Sequence, residues 1–296
     1  MEQACISQLV KMRAIKNLQT RIYESETKAT IGANLMLISV SQSRILYGGI
    51  HNMADSVIGA RYREIASQIE DLLSLEAPLV GIALADAQPN GVVAFQDIAP
   101  SACSFWITAQ NQTFFASQAD HMNCVLGAYV MGFGLDEFGQ EELVGVMQKM
   151  DDCGYFSPNE APSVPTIEKK ALGAVYGPLA SFPLTASVAV MWLRASQAML
   201  VQEATGSAHW GKDVVSRVTG RPGCGALPLA IKTSKPVVSA GCTGMRTFTG
   251  IDDDVLLAAL PIDKIEEFAQ NLYAVVEANS RMRSYYVARK QTLLRG

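Results

Sequence analysis

Two segments of the chain run from an unbroken apolar stretch straight into a helical repeat, and this junction limits the fold more than any other feature. SVAVMWLRASQAMLVQEA (187–204) and DDVLLAALPIDKIEEFAQNLYAVVEA (253–278) each read as a strand followed by a helix. In the second, Pro261 ends the strand, and Ile265, Phe268, Leu272 and Val275 recur at the spacing that puts side chains on one helix face. A third unit has the reverse order: YREIASQIEDLLSL, from Tyr62, is an amphipathic helix with Ile65, Ile69, Leu72 and Leu73 inward, and PLVGIALAD (78–86) follows as a buried strand. Strands alternating with helices call for layers, so the expected fold is α/β, with strand–helix units around a mixed sheet.

Three regions follow from texture. Residues 1–61 form an N-terminal extension, expected to be mostly helical from the spacing of Ile6, Leu9, Val10, Met12 and Ile15, with an apolar run at NLMLISV (34–40). Residues 62–279 form the main domain, and 280–296 are a basic tail free of acidic residues, read as a solvated helix end. Within the domain, QTFFASQADHMNCVLGAYVMGFG holds a strand ending near Asp120 and then an apolar helix starting at Cys124. LDEFGQEELVGVMQKM (135–150) reads as a surface helix with Leu135, Phe138, Leu143 and Val146 or Met147 on one side. DDCGYFSPNEAPSVPT, rich in proline, is the strongest loop signal. LGAVYGPLASFPLTASVAVMW (172–192), interrupted by Pro178 and Pro183, reads as a loop feeding a buried strand and not as a membrane helix.

Charge and motif content then remove whole classes of function. With Lys+Arg 24 against Asp+Glu 28 there is no basic field to attract nucleic acid. No stretch spans a membrane, and the N-terminus lacks a secretory pattern, so a cytoplasmic protein is expected. Neither GxGxxG, GxxxxGK[ST], HExxH nor GxSxG occurs, which leaves dinucleotide, P-loop, zincin and hydrolase readings without support. CxxC pairs are also missing, against a zinc ribbon or thioredoxin-like site.

What remains is cysteine. Six occur: Cys5, Cys103, Cys124, Cys153, Cys224 and Cys242. Two lie in glycine-rich turns, GRPGCGALP around Cys224 and SAGCTGMR around Cys242. Glycine offers little surface to pack against a thiol, so chemistry is a reason to look further. Cys124 and Cys224 precede apolar segments of helical character, where the positive end of the helix dipole favours thiolate. Cys242 follows PVVSAG at the end of a strand, where open α/β sheets place their sites. Gly223, Gly225, Gly241 and Gly244 would let backbone approach a bulky group and aim N–H donors at it.

These motifs identify a relative. GRPGCGALPLAIKTSKPVVSAGCTGMRTFTGIDDDVLLAALP resembles the pattern of domain-of-unknown-function family 169, the archaeal cysteine-rich family, and a second match runs through Cys103 and TFFASQADHMNC. The resemblance covers about 62–279 and carries no settled activity. It puts Cys103, Cys124, Cys224 and Cys242 at family-like positions and leaves Cys5 and Cys153 outside. Four thiols from distant segments can hold a [4Fe–4S] cluster or a zinc ion, or can simply pack as buried hydrophobes. The glycine-lined surroundings favour the larger cluster.

The expectation is therefore an iron–sulfur protein, an oxidoreductase or lyase acting on a small organic substrate by electron transfer or at an open iron, with a redox partner protein compatible with the first. A non-catalytic sensor or electron carrier, and a binding protein with structural cysteines, are the alternatives. His121 is a candidate proton donor or replacement ligand against a core-edge role, and Arg246 a candidate anion partner against an ion pair with the acidic turn Asp252, Asp253 and Asp254. That turn could take a hard cation or simply be solvated. Phe105 and Trp106 either wall a pocket or pack the core. Homo-oligomer formation through the N-terminal extension is compatible with the pattern.

Overall fold

A strand buried on both faces carries no polar residue on either side, and the strand sequences obey this. VGIALA, VAVMWL and LLAALP form β1 (Val80–Ala85), β4 (Val188–Leu193) and β7 (Leu256–Pro261). The computed structural model describes residues 61–168, 170–206 and 218–295; the expected N-terminal extension and Cys5 lie outside them. The remaining strands are β2 (Phe114–Ser117), β3 (Gly173–Pro178), β5 (Val218–Thr219) and β6 (Val237–Ser239). Together they make one seven-stranded sheet in the order β2-β3-β1-β4-β7-β6-β5. Among the described strands only β5 and β6 pair in parallel, so the sheet is mixed but mainly antiparallel.

Helices cover both faces. On the first lie α1 (61–73), α5 (Ala195–Ala204) and the N-terminal part of α8 (Ile265–Arg295). Their apolar stripes, Ile65, Ile69 and Leu73 of α1, Val201 of α5 and Phe268 and Leu272 of α8, pack on Ala83, Ala189, Met191 and Leu260. On the second face lie α2 (Ala102–Thr108), α3 (Val125–Val130), α6 (Ala226–Thr233) and α7 (Thr243–Thr249), which close over Ile82, Tyr176, Val190 and Ala259. Successive residues of one strand alternate between the two cores, which is why the strand sequences read as runs rather than as alternation. α4 (Glu137–Asp152) stands apart, with Gly139 its one buried residue.

The two strand–helix units that open the sequence become neighbours. β4 and β7 pair antiparallel from Val188 opposite Pro261 to Leu193 opposite Leu256, and α5 packs on α8 above them. Asn279 of α8 donates to the Glu203 carboxylate of α5 at 2.6 Å.

Three expectations are corrected. GAVYGP, expected as part of a loop, is β3: Pro178 closes the strand as its last residue, and β1 and β2 hold it on either side. Strand β2 ends at Ser117, short of Asp120, because the Asp120 carboxylate accepts from the Ser117 amide and hydroxyl at 2.7 Å each and turns the chain. Phe138, expected on one side of α4 with Leu143 and Val146, is 74% exposed where those two are half-buried.

Candidate functional site: four thiols at helix starts

Each cysteine singled out in the sequence stands where a helix of the second face begins. Ser101 is the N-cap of α2, which makes Cys103 its second residue, and the thiol is buried. Cys124 ends the 3₁₀ turn Ala119–Cys124 and is the N-cap of α3, half-buried. Cys224 is the centre of the 3₁₀ turn Gly223–Gly225 that runs into α6, and is buried. Cys242 is the N-cap of α7, half-buried, and its sulfur accepts the Met245 N–H at 3.4 Å. The first amides of a helix have no intrahelical acceptor and carry the positive end of its dipole, so each of the four residues lies at the positive end of a helix.

Close backbone approach brings these helix starts together. α2 packs on α3 and on α7, and α3 packs on the turn Gly223–Gly225. A Cβ on Gly127 would meet Ala102 Cβ at 2.8 Å and Cys124 Sγ at 3.1 Å, so glycine is what lets the start of α2 lie beside Cys124. A Cβ on Gly223 would meet Gly241 Cα at 3.1 Å; the turns bearing Cys224 and Cys242 touch through bare backbone. Of the four glycines expected to let backbone approach a bulky group, Gly223 and Gly241 lie against each other. Gly225 faces Pro165 and Gly244 faces Phe248, both at ordinary contact distance.

The convergence has an electrostatic consequence. Burial pushes the Cys103 thiol well above its ordinary range, and Cys224, Cys242 and Cys124 push it further. Cys224 is raised in the same way, by burial first and then by Cys124 and Cys242. Four thiols from two regions of sequence, about a hundred residues apart, thus share one neighbourhood. Cys153 does not join them; it is exposed after α4, with its thiol donating to the Met150 carbonyl at 3.5 Å. Among the described residues, no three or more His, Cys, Asp or Glu side chains are gathered as they would be around a single metal ion.

His121 is buried in an aromatic cluster, with ring centroids of Phe133 and Phe105 at 4.3 and 4.7 Å. Its Nδ1 lies 2.6 Å from the Ser117 carbonyl and its Nε2 2.8 Å from the Tyr176 hydroxyl. A carbonyl only accepts, so Nδ1 carries the proton and Nε2 accepts from Tyr176. Burial lowers the ring to about 4. Both nitrogens are therefore occupied, and the core-edge role accounts for every polar atom of His121. Arg246 likewise spends its guanidinium on backbone, donating to the carbonyls of Asp252 and Ala240 at 2.7 Å and of Val255 at 3.0 Å. It pins the turn after α7 without pairing with the acidic side chains; those of Asp252 and Asp254 are held by Arg194 at 3.3 and 2.6 Å.

Phe105 and Trp106 pack the core. Trp106 lies 6.1 Å from Trp192, ring to ring, and both indole N–H groups are buried without a partner. Trp106 follows Cys103 by three residues on α2 and shares its face. Two residues near the thiols were not among the candidates read from sequence. Tyr176, on β3, has its hydroxyl pushed up by burial and then by Cys103 and Cys224, and reads in sequence as one more strand aromatic. Arg221 stacks its guanidinium 4.5 Å above the Tyr155 ring, whose hydroxyl accepts the Thr243 N–H at 3.0 Å beside Cys242. Two shallow hollows, of about 330 and 420 Å³, lie along α8 and beside Arg246, and none of the four cysteines lines either.

The family model for DUF169, described as uncharacterised ArCR, matches residues 68–271. The chain belongs to this family. No curated protein and no solved structure matches. The ArCR match contains the four thiols, the whole sheet and most of both helical layers, and ends within α8. Among the described residues, no helix is long and apolar enough to cross a membrane.

Proposed function

We propose that this ArCR protein is an iron–sulfur redox protein in which Cys103, Cys124, Cys224 and Cys242 hold a [4Fe–4S] cluster. The observation that carries the reading is the close approach of the four helix starts that bear these thiols, with Cys224, Cys242 and Cys124 all raising the buried Cys103 thiol. The donor set fits such a group. Four thiolates are the ligands a cubane requires, and it separates them on the order of 6 to 7 Å, farther than the sulfurs around one zinc ion. Two buried indole donors on the same side of the sheet lack acceptors, as expected where a sulfur-rich group is to be accommodated.

The bound group supplies one-electron chemistry. The chain's residues hold and tune it. Four cysteine ligands satisfy all four irons, which supports electron transfer over Lewis-acid chemistry at an open iron. Phe105, Trp106, Leu227 and Met245 keep water from the side of Cys103 and Cys224. The Met245 N–H on the Cys242 sulfur, together with the helix starts, stabilises added negative charge and so raises the potential. Cys124 and Cys242, half-buried, mark the side from which a redox partner or a small substrate exchanges electrons.

The test is protein purified without oxygen. A brown protein with about four iron and four sulfide per chain, which loses both on Cys103→Ser or Cys224→Ser while its circular dichroism is retained, is the expected result. Colourless protein containing stoichiometric zinc overturns the reading, as does full iron in either variant.

A further inference from the structure

The last helix is built to be covered over a length that the body of the molecule does not cover. α8 runs 31 residues without a break, and every described residue from Ser280 to Leu294 is exposed. The stripe that docks its first half on the sheet continues into this free part. Leu272, Val275, Asn279, Met282, Tyr286, Arg289 and Leu293 alternate spacings of three and four, one face of a helix with a packed partner. Leu272 is fully buried, while Met282, Tyr286 and Leu293 are 45%, 59% and 63% exposed. An apolar seam that runs on past the body marks an interaction surface and not a solvated tail.

Charge decides the occupant. Residues 280–296 carry Arg281, Arg283, Arg289, Lys290 and Arg295 and no acid, a net charge of +5. Residues 61–279 carry 13 Lys and Arg against 24 Asp and Glu, a net charge of −11. Among the described residues, Arg283, Arg289 and Lys290 meet no carboxylate. Two copies of this seam packed on each other would set Arg289 in the interface and Arg283 and Lys290 along its edge against their like, which is repulsive. The complementary surface is acidic with an exposed apolar anchor, and this chain has one in α4. That helix has almost no burial of its own and presents Phe138, 74% exposed, beside Glu137, Glu141 and Glu142.

We propose that the free half of α8 docks on the acidic face of α4 of a second copy of the chain, Met282 and Tyr286 packing on Phe138 and Arg283 and Lys290 facing Glu141 and Glu142. The inference does not depend on the cluster. Opposite charges at a rim steer the encounter, and the aromatic and methionine side chains supply the contact.

Sedimentation of the full chain at micromolar concentration tests this. In low salt the wild type forms a dimer that weakens as salt rises. Arg283→Glu with Lys290→Glu, or Glu141→Lys with Glu142→Lys, each weaken it by at least about tenfold. All four positions are exposed, so the fold survives, which circular dichroism checks. Mixing the two charge-reversed proteins restores both reciprocal contacts, one in the native and one in the reversed sense of charge, and the protein reversed at all four positions dimerises like the wild type. A monomer in low salt overturns the proposal, as does a dimer indifferent to both reversals. A monomer that binds vesicles of anionic phospholipid through Arg283 and Lys290 also overturns it, assigning the helix to a membrane surface.

Discussion

Replacing His121 with Gln should flatten the acid limb of the protein's stability curve. In the folded chain, Nδ1–H is committed to the Ser117 carbonyl, Nε2 accepts from Tyr176, and burial lowers the ring from 6.5 to about 4. The unfolded chain keeps the ordinary value, so as pH falls it takes up the proton first. Stability is therefore full above about pH 6.5 and is lost as pH drops toward 4. The whole effect is about 3 kcal/mol, of which about 2 kcal/mol falls between pH 7 and pH 5. Urea unfolding followed by circular dichroism at pH 7, 6 and 5 measures it in both proteins. Gln itself costs stability at every pH by disturbing two buried hydrogen bonds, so the readout is the difference in slope between the proteins, not the offset. Carboxylates that titrate on the surface contribute equally to both and cancel. Parallel curves would refute the argument, since they would mean that the ring is free to protonate in the folded chain.

Cys153→Ser should leave metal content unchanged, because its thiol is exposed beyond α4 and takes no part in the coupling of the other four; iron analysis reports this, and loss of iron would reassign the ligands. Gly241→Ala should lower the melting temperature, because its φ of +76° costs a residue with a side chain about 1 to 2 kcal/mol and the new methyl meets the Met245 thioether. Gly225→Ala should be neutral or stabilising by up to about 1 kcal/mol, since its backbone is already helical and a Cβ meets Pro165 only at 3.6 Å. A destabilised Gly225→Ala protein with intact Gly241→Ala would reverse the assignment of which glycine makes room.

The fold was legible where local pattern and tertiary demand agree. Val188–Leu193 and Leu256–Pro261 read as buried strands because helices cover both faces, and Ile265, Phe268 and Leu272 read as a helix face because that face is packed. Strand pairing was not legible. Strand–helix alternation suggests parallel crossovers, yet β4 and β7 meet antiparallel, because residues 195–255 return the chain to the opposite end of the sheet. GAVYGP misled for a different reason. Two glycines and a terminal proline are turn signals by composition, but in the sheet a Cβ on Gly177 would run into Thr113, and at Gly173 into Phe115, so the glycines answer to close neighbours that only the tertiary structure supplies.

The thiol site divides in the same way. Cys124, Cys224 and Cys242 carried a local mark, a glycine turn or the start of an apolar helix, Cys103 only the family resemblance, and all four stand at a helix start. Their meeting is set by Gly127 against Ala102 and Gly223 against Gly241, contacts between segments that sequence spacing cannot relate. The same limit made His121 and Arg246 look reactive, because a polar residue beside a cysteine motif gives no sign of whether its donors are already spent. Ser117 and Tyr176 take both nitrogens of one, and three carbonyls take the guanidinium of the other. With those groups committed to the scaffold, the chemistry left on this face of the sheet belongs to the four thiols. Burial raises the cost of holding Cys103 and Cys224 as anions, and the shared, positively charged metal core proposed at the four helix starts would offset it.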